Sequence, residues 1–347
     1  MPADGEKTGP VSMDSAAAHG RWSLRVRRGR DGRVVVQNGP VPMLPRGAVA
    51  AVPRWRMRSP GPRMVAGSGR LFVFDLRPRG LYVVPLPADS APRLSPQPYP
   101  FGTQAAQAVS RGLLAAVRGT SYMHSELIVQ PPGGGRETRT PVDGLVMQVQ
   151  GVDSGFVVNT QLEGRTAFRL VRFDGSVRRL GLPKPPYTRR FEQVRWVALA
   201  NDGSLVMASP HWPGFRSVTL DGRVVRDVLT DPPEAPPLPE WNDEPYGWIN
   251  TLCYDRATGL YALAETIRIT TGKPVDTALH LFTPEGVFLA TLRVPGTMRE
   301  FELSGGRVYA LVDENDDETT LQAFDLRIPP GALDSARAAF RRAGGAP

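Results

Sequence analysis

The residues able to do chemistry are few and scattered. Of the four histidines, His19 stands near the N-terminus and His280 alternates with Leu279 and Leu281 in an apolar run, both ordinary structural positions. His124 and His211 fall in polar segments and form the one histidine pair worth considering as a general base and its partner. The single cysteine, Cys253, lies in the apolar run Ile249 to Tyr254, where a buried inert thiol is expected in place of a catalytic thiolate. One cysteine forms neither an intramolecular disulfide nor a Cys/His zinc set. There is no GxSxG elbow and no P-loop, and Gly133-Gly134-Gly135 follows Pro131-Pro132 in a turn instead of opening a helix. The acidic stretch Asp313 to Glu318 begins like a calcium loop but has Glu318 where glycine is needed and Phe324 where the bidentate Glu should be.

Charge offers a different lead. The chain has 42 Lys and Arg against 34 Asp and Glu, a net +8. Arg21 through Gly80 holds fourteen arginines against only Asp31 and Asp75, a local +12 that exceeds the whole-chain value. Such an excess can attract a nucleic acid, an anionic lipid or an acidic glycan. It also has a compositional reading, since lysine occurs only at Lys7, Lys184 and Lys273 amid abundant Ala, Gly and Pro. No aromatic ladder runs through the arginines as a stacking platform for single strands would require.

The elements that would position these residues are short strands. With 36 Gly and 35 Pro in 347 residues, turns dominate over long helices. A four-strand pattern recurs along the chain. Leu145 to Val152 leads through Asp153-Ser154-Gly155 into Phe156 to Asn159, and Ala167 to Phe173 turns at Asp174-Gly175 into Val177 to Leu180; Val194 to Leu229 repeats the plan. The Asx-Gly turns suit tight hairpins, because glycine reaches positive φ without a Cβ clash. First-turn glycines at Gly69, Gly112, Gly155, Gly203, Gly259 and Gly306 are spaced by 43, 43, 48, 56 and 47 residues. Four strands per period of this length predict an all-β, six-bladed β-propeller of four-stranded antiparallel blades.

The last unit lacks a fourth strand, because Ile328-Pro329-Pro330-Gly331 breaks the pattern after Leu326. An N-terminal strand must therefore close the ring and remove its free edges. The hairpin Trp22 to Val26 and Arg33 to Gln37 is the expected source, with Arg33 to Gln37 pairing to the blade that contains Val308 to Leu326. Ala332 to Arg342 reads as a short helix with Leu333, Ala336 and Phe340 on one side. The organisation expected is a tail over 1–20, one propeller domain over 21–330 and a helix and tail over 331–347. The opening residues show no basic segment followed by an apolar core, so no signal peptide is expected in the sequence as given, and the compartment stays open. No apolar run reaches the roughly 20 residues of a membrane helix, and a monomer is expected.

The repeated units Phe173-Asp174-Gly175-Ser176-Val177, Leu220-Asp221-Gly222-Arg223-Val224 and Phe282-Thr283-Pro284-Glu285-Gly286-Val287, with the strand before the first blade, resemble the bacterial six-bladed β-propeller proteins, the broad group of NHL-repeat and TolB-like propellers. The resemblance covers roughly 21–330. It implies an architecture more than an activity, because this fold hosts hydrolases, lyases, receptors and scaffolds.

Propeller connectivity puts the tight glycine turns on one face and the longer second-to-third and inter-blade loops on the other. The long-loop face gathers His124, Arg165, His211, Trp212, Trp241, Asp243, Tyr246 and Arg268 as candidate binding residues, with Glu163 and Glu244 beside them. A mixed polar and aromatic rim of this kind suits a protein, peptide or glycan ligand, and a noncatalytic binding or scaffold role without cofactor is the leading expectation. The alternative is a calcium-dependent hydrolase similar to propeller lactonases of the regucalcin and paraoxonase type. That resemblance implies oxygen ligands, for which Glu126, Asn159, Asn250, Glu265 and Asp313 are the candidates here.

Overall fold

A computed structural model describes all residues except 1–23, 40–42, 46, 77–78, 100, 102–103, 120, 122, 163–164, 184–195, 209–213, 231–245, 269–273, 296, 315–317 and 346–347. Three strands precede the first blade: β1 (Leu24–Arg28), β2 (Val34–Asn38) and β3 (Ala50–Arg58). Blade 1 is β4 (Arg63–Gly67), β5 (Arg70–Leu76) and β6 (Arg79–Pro85). Blade 2 is β7 (Ala106–Ser110), β8 (Leu113–Gly119), β9 (His124–Gln130) and β10 (Thr138–Asp143); blade 3 is β11 (Leu145–Val152), β12 (Gly155–Leu162), β13 (Arg165–Arg172) and β14 (Val177–Leu180). Blade 4 is β15 (Trp196–Leu199), β16 (Leu205–Ala208), β17 (Gly214–Val218) and β18 (Val224–Leu229). Blade 5 is β19 (Tyr246–Tyr254), β20 (Tyr261–Arg268), β21 (Pro274–Phe282) and β22 (Phe288–Pro295). Blade 6 is β23 (Thr297–Ser304), β24 (Arg307–Asp313) and β25 (Thr319–Arg327), followed by helix α1 (Ala332–Arg342).

The six sheets form a six-bladed propeller ring. Each blade is a meander because its turns are built for one: Gly69, Gly112, Gly203, Gly259 and Gly306 all adopt positive φ at the first-to-second strand turn. Alternate residues of each strand point into the seams between blades, where Phe72, Phe156, Phe215, Phe282 and Tyr309 are fully buried. Blade 1 has three strands, and its outer edge is joined to the following segment by a bridge between Leu81 and Gln97.

Ring closure differs from the sequence expectation. Strand β3, not β2, completes blade 6, pairing antiparallel with β25 from Thr320↔Arg58 to Arg327↔Ala50. The hairpin β1–β2 instead extends blade 4, with β2 parallel to β18, to make a sheet of six strands. Chain reach explains the choice. Only four residues, 59–62, separate β3 from β4, and at ~3.5 Å each they span no farther than one neighbouring blade. Between β2 and β3 the chain runs over blade 5, where the Leu44 N–H donates to the Leu289 carbonyl. Asn38 anchors that crossing: its Nδ2 donates to the carbonyls of Leu229 and Gly286, and its Oδ1 accepts from the Phe288 N–H at 2.9 Å.

The arginines of the N-terminal region are consequently spread around the ring instead of sharing one sector. Arg54, Arg56 and Arg63, near the closing seam, are paired. Arg54 meets Asp325 at 2.8 Å and Asp89 at 3.1 Å, and Arg307 meets the same two carboxylates at 2.8 Å each. The hydrogen bond and charge of Arg307 hold the Asp89 carboxyl below the usual carboxylate range, and burial raises the Asp325 carboxyl by less than Arg54 and Arg307 lower it. Helix α1 buries Ala332, Ala336, Ala339 and Phe340 against the outer rim, and Arg337 pairs with Glu285 of blade 5.

Candidate functional site

The first strands of the six blades, β4, β7, β11, β15, β19 and β23, surround a central channel of about 580 Å³. Their inner edges have no ladder partner, so their backbone groups need other donors and acceptors. Neighbouring blades supply them. Gln148 of β11 bridges to β15, its Nε2 donating to the Val197 carbonyl at 3.1 Å and its Oε1 accepting from the Val197 N–H at 2.8 Å. Ser110 of β7 donates to the Val152 carbonyl of β11 at 2.6 Å, and Cys253 of β19 donates through Sγ to the Phe301 carbonyl of β23 at 3.2 Å.

At the junction of blades 6 and 1 the same task falls to two carboxylates. Glu300 accepts from the Met64 N–H at 2.5 Å and from Arg63 Nη1 at 2.6 Å, and Glu302 accepts from the Ala66 N–H at 3.2 Å. Burial pushes the Glu300 carboxyl up despite the Arg63 contact. For Glu302 burial is again the largest cause; the Ala66 N–H offsets only part of it and the charge of Glu300 adds to it, leaving the group at about 7. The Cys253 Sγ lies 4.0 Å from Glu302 Oε2, and burial, reinforced by that carboxylate, raises its thiol well above the usual range. The channel thus holds a carboxyl that changes protonation near neutral pH beside an inert thiol.

Four inner strands carry a bulge, at Gln107, Met147, Asn250 and Arg299, where the register shifts by one residue. A bulge bends and twists its strand locally, and Gln107, Met147 and Arg299 are among the residues that line the channel. Neither the bulges nor the Glu300/Glu302 pair was singled out from the sequence. Their signal was present as Glu300 and Glu302 alternating with the buried Phe301 and Leu303, a pattern shared by any half-exposed strand.

The sequence candidates divide among several places. His124 opens β9 and is exposed, with Nδ1 3.7 Å from Asp143 Oδ1; the other oxygen of Asp143 is 3.8 Å from Arg169 of blade 3. Arg165 opens β13, also exposed. Two large apolar side chains join this corner, Met123 at 42% and Leu145 at 44% exposure, their loops tied by the Gly144 N–H donating to the Met123 carbonyl at 2.7 Å. Leu145, Gln161 and Thr166 form one row across β11, β12 and β13, with Arg165 next in line. His211, Trp212, Trp241 and Asp243 lie outside the described residues, as do Glu163 and Glu244. Tyr246 begins β19 and Arg268 ends β20, paired in register with each other.

The five oxygen-ligand candidates occupy four blades. Glu126 faces Arg139 at 3.8 Å in blade 2, and Asn159 is buried on β12 in blade 3. Asn250 is the bulge of β19. Glu265 is buried against His280 Nε2 at 2.8 Å, and the other ring nitrogen of His280 is 2.9 Å from Thr291 Oγ1. Asp313 faces Arg299 at 3.1 Å and accepts from Thr319 at 2.9 Å. Among the described residues no group of three or more His, Cys, Asp or Glu side chains comes together as a metal site would need.

No helix among the described residues is long and apolar enough to cross a membrane. No protein-family model matches the chain, and no curated protein matches it significantly. Solved structures do. A streptogramin B lyase is 12% identical with a TM-score of 0.42, covering 80% of this chain and 97% of its own. A virginiamycin B lyase from Staphylococcus aureus is 11% identical with a TM-score of 0.39, over 87% and 99%. A calcium-binding protein, regucalcin, from Agrobacterium tumefaciens is 14% identical with a TM-score of 0.41, over 81% and 93%. At these identities the likeness is one of fold and carries nothing about activity.

Proposed function

We propose that this protein is a noncatalytic binding propeller whose long-loop face receives a protein, peptide or glycan. The observation that carries the reading is the corner between blades 2 and 3, where Met123 and Leu145 stand exposed beside His124, Asp143 and Arg165. Apolar side chains rimmed by an arginine and a hydrogen-bonding imidazole supply the anchor and the orienting groups that an interface needs. The rigid ring beneath supports this: Gln148, Glu300 and Glu302 are engaged in holding neighbouring blades together. A calcium-dependent hydrolase of the lactonase or esterase type is the rival reading.

Selection from a displayed random-peptide library tests the proposal. The expected result is a set of binders whose affinity falls at least about tenfold against Leu145→Glu, with that variant melting as the parent does. Binders indifferent to Leu145 and Arg165, or turnover of a lactone and aryl-ester panel that requires added calcium, would reject it in favour of another face or of the rival.

A further inference from the structure

The outer strand of each propeller blade ends its sheet, and an unpaired edge is a template for a further strand. Five of the outer edges carry a device against this. Strands β10 and β3 contain Pro141 and Pro53, which lack a donor. Strand β14 has only four residues. Strand β22 is overlaid by the N-terminal chain at Leu289, and β6 is bridged by Gln97. The sixth, β1, ends the blade 4 sheet with five residues and no proline; helix α1 touches it, and no described strand lies on its far side.

What β1 has is charge. In Leu-Arg-Val-Arg-Arg, Leu24 and Val26 are buried while Arg25, Arg27 and Arg28 are exposed, followed by exposed Arg30 in the turn. These four arginines make no hydrogen bond or ion pair among the described residues, unlike Arg54, Arg56 and Arg63, which meet Asp325, Glu314 and Glu300. The charge decides which strand can add. A second copy would set arginine opposite arginine, which is unfavourable, whereas an acidic strand would set carboxylates opposite Arg25 and Arg27 at the ~6.8 Å repeat of alternate residues.

We propose that β1 is a docking edge for an acidic extended peptide, which adds to the blade 4 sheet as a further strand with carboxylates at alternate positions facing Arg25 and Arg27. Backbone hydrogen bonds would give affinity and the arginines would choose the sequence. The site is separate from the blade 2 and 3 corner and stands or falls independently of it.

The test is fluorescence anisotropy of the full chain with a labelled peptide of alternating valine and glutamate. Saturable binding is expected, weakened at least about tenfold by Arg25→Ser with Arg27→Ser. Two further peptides, N-methylated on the odd or on the even residues, make the decisive comparison. An added strand bonds through alternate residues, so one of them should lose binding and the other keep it. Equal binding by both methylated peptides, or tighter binding of a single-stranded oligonucleotide of equal charge that depends on the same arginines, would show a polyanion strip without strand addition and overturn the proposal. Binding that never saturates, or that is unchanged in the double variant, would overturn it as well. Should the double variant melt lower, the methylated pair still decides, because it alters only the peptide.

Discussion

The Glu302 carboxylate of blade 6 accepts a hydrogen bond from the Ala66 N–H of blade 1 at 3.2 Å, across the junction where the first and last blades meet. An N–H on an inner strand edge has no ladder partner, so a side chain from the next blade takes that place. Gln148 does the same at the junction of blades 3 and 4 with a neutral amide. The difference between the two is a titratable proton, and it has consequences for stability.

Glu302 is held at about 7 in the folded chain, above its ordinary 4.5, because burial disfavours its charge. The folded state therefore binds more protons than the unfolded state between these values, and stability contributed by the neutral acid falls as pH rises through that window. Glu302→Gln keeps an oxygen for the Ala66 N–H and removes the titration. The variant should match the parent near pH 4 and exceed it at pH 8 by ~3 kcal/mol, the size of a two- to three-unit shift. Melting curves at the two pH values check this, and parallel behaviour of the two proteins would refute it.

Gln148 both donates to and accepts from Val197. Gln148→Glu loses the donor and places a charge against the Val197 carbonyl, so it should cost ~1–3 kcal/mol. Gln148→Met, close in shape but without polar atoms, leaves the Val197 N–H without that acceptor and should also destabilise. Denaturant midpoints for the pair check the claim; a neutral Gln148→Glu would mean that solvent in the channel takes over the role.

Inner strands approach one another closely. A Cβ on Gly151 of β11 would stand 2.0 Å from the Val109 carbonyl oxygen of β7, a backbone atom that cannot move aside without parting blades 2 and 3. Gly151→Ala should therefore destabilise by ~1–3 kcal/mol or more through overpacking. The control is Gly133→Ala in a surface turn, where a Cβ meets nothing within 4 Å. Equal melting temperatures for the two variants would contradict the close approach.

The propeller was legible because its signals are local. Turn glycines at Gly69 through Gly306 and the alternation within each strand recur whatever the rest of the chain does, and the breaking Pro329-Pro330 announced a missing strand. Which strand supplies it depends on reach around the ring. Ala50–Arg58 contains Pro53, three arginines and a bulge, and so lacks the clean alternation of Val34–Asn38. The site was less legible for a related reason. His124 and Arg165 could be placed on the long-loop face from connectivity, but the use of Glu300 and Glu302 depends on an unpaired backbone edge 236 residues earlier in the chain, to which no local pattern points.

Ring closure by β3 makes a prediction that distinguishes it from closure by the hairpin. Trp55 lies at the seam, its ring 6.2 Å from that of Tyr309 and its Nε1 donating to the Ala88 carbonyl at 3.0 Å; the Tyr309 hydroxyl accepts from the Ala88 N–H at 3.0 Å. These contacts join β3, blade 6 and the segment after blade 1, so Trp55→Ala should cost ~3–5 kcal/mol. Truncation separates the two strands further. Removing residues 1–39 takes away the hairpin and uncovers the β18 edge of blade 4 but leaves the seam closed; the shortened chain should be less stable yet still unfold in one cooperative step. Removing residues 1–58 takes away β3 as well, exposing the β25 edge and the buried face of Tyr309, and should give aggregation instead of a folded monomer. Size-exclusion chromatography and thermal melts of the two truncations decide the matter, and a 1–58 deletion that remained monomeric with an unchanged melt would mean that the ring does not depend on β3.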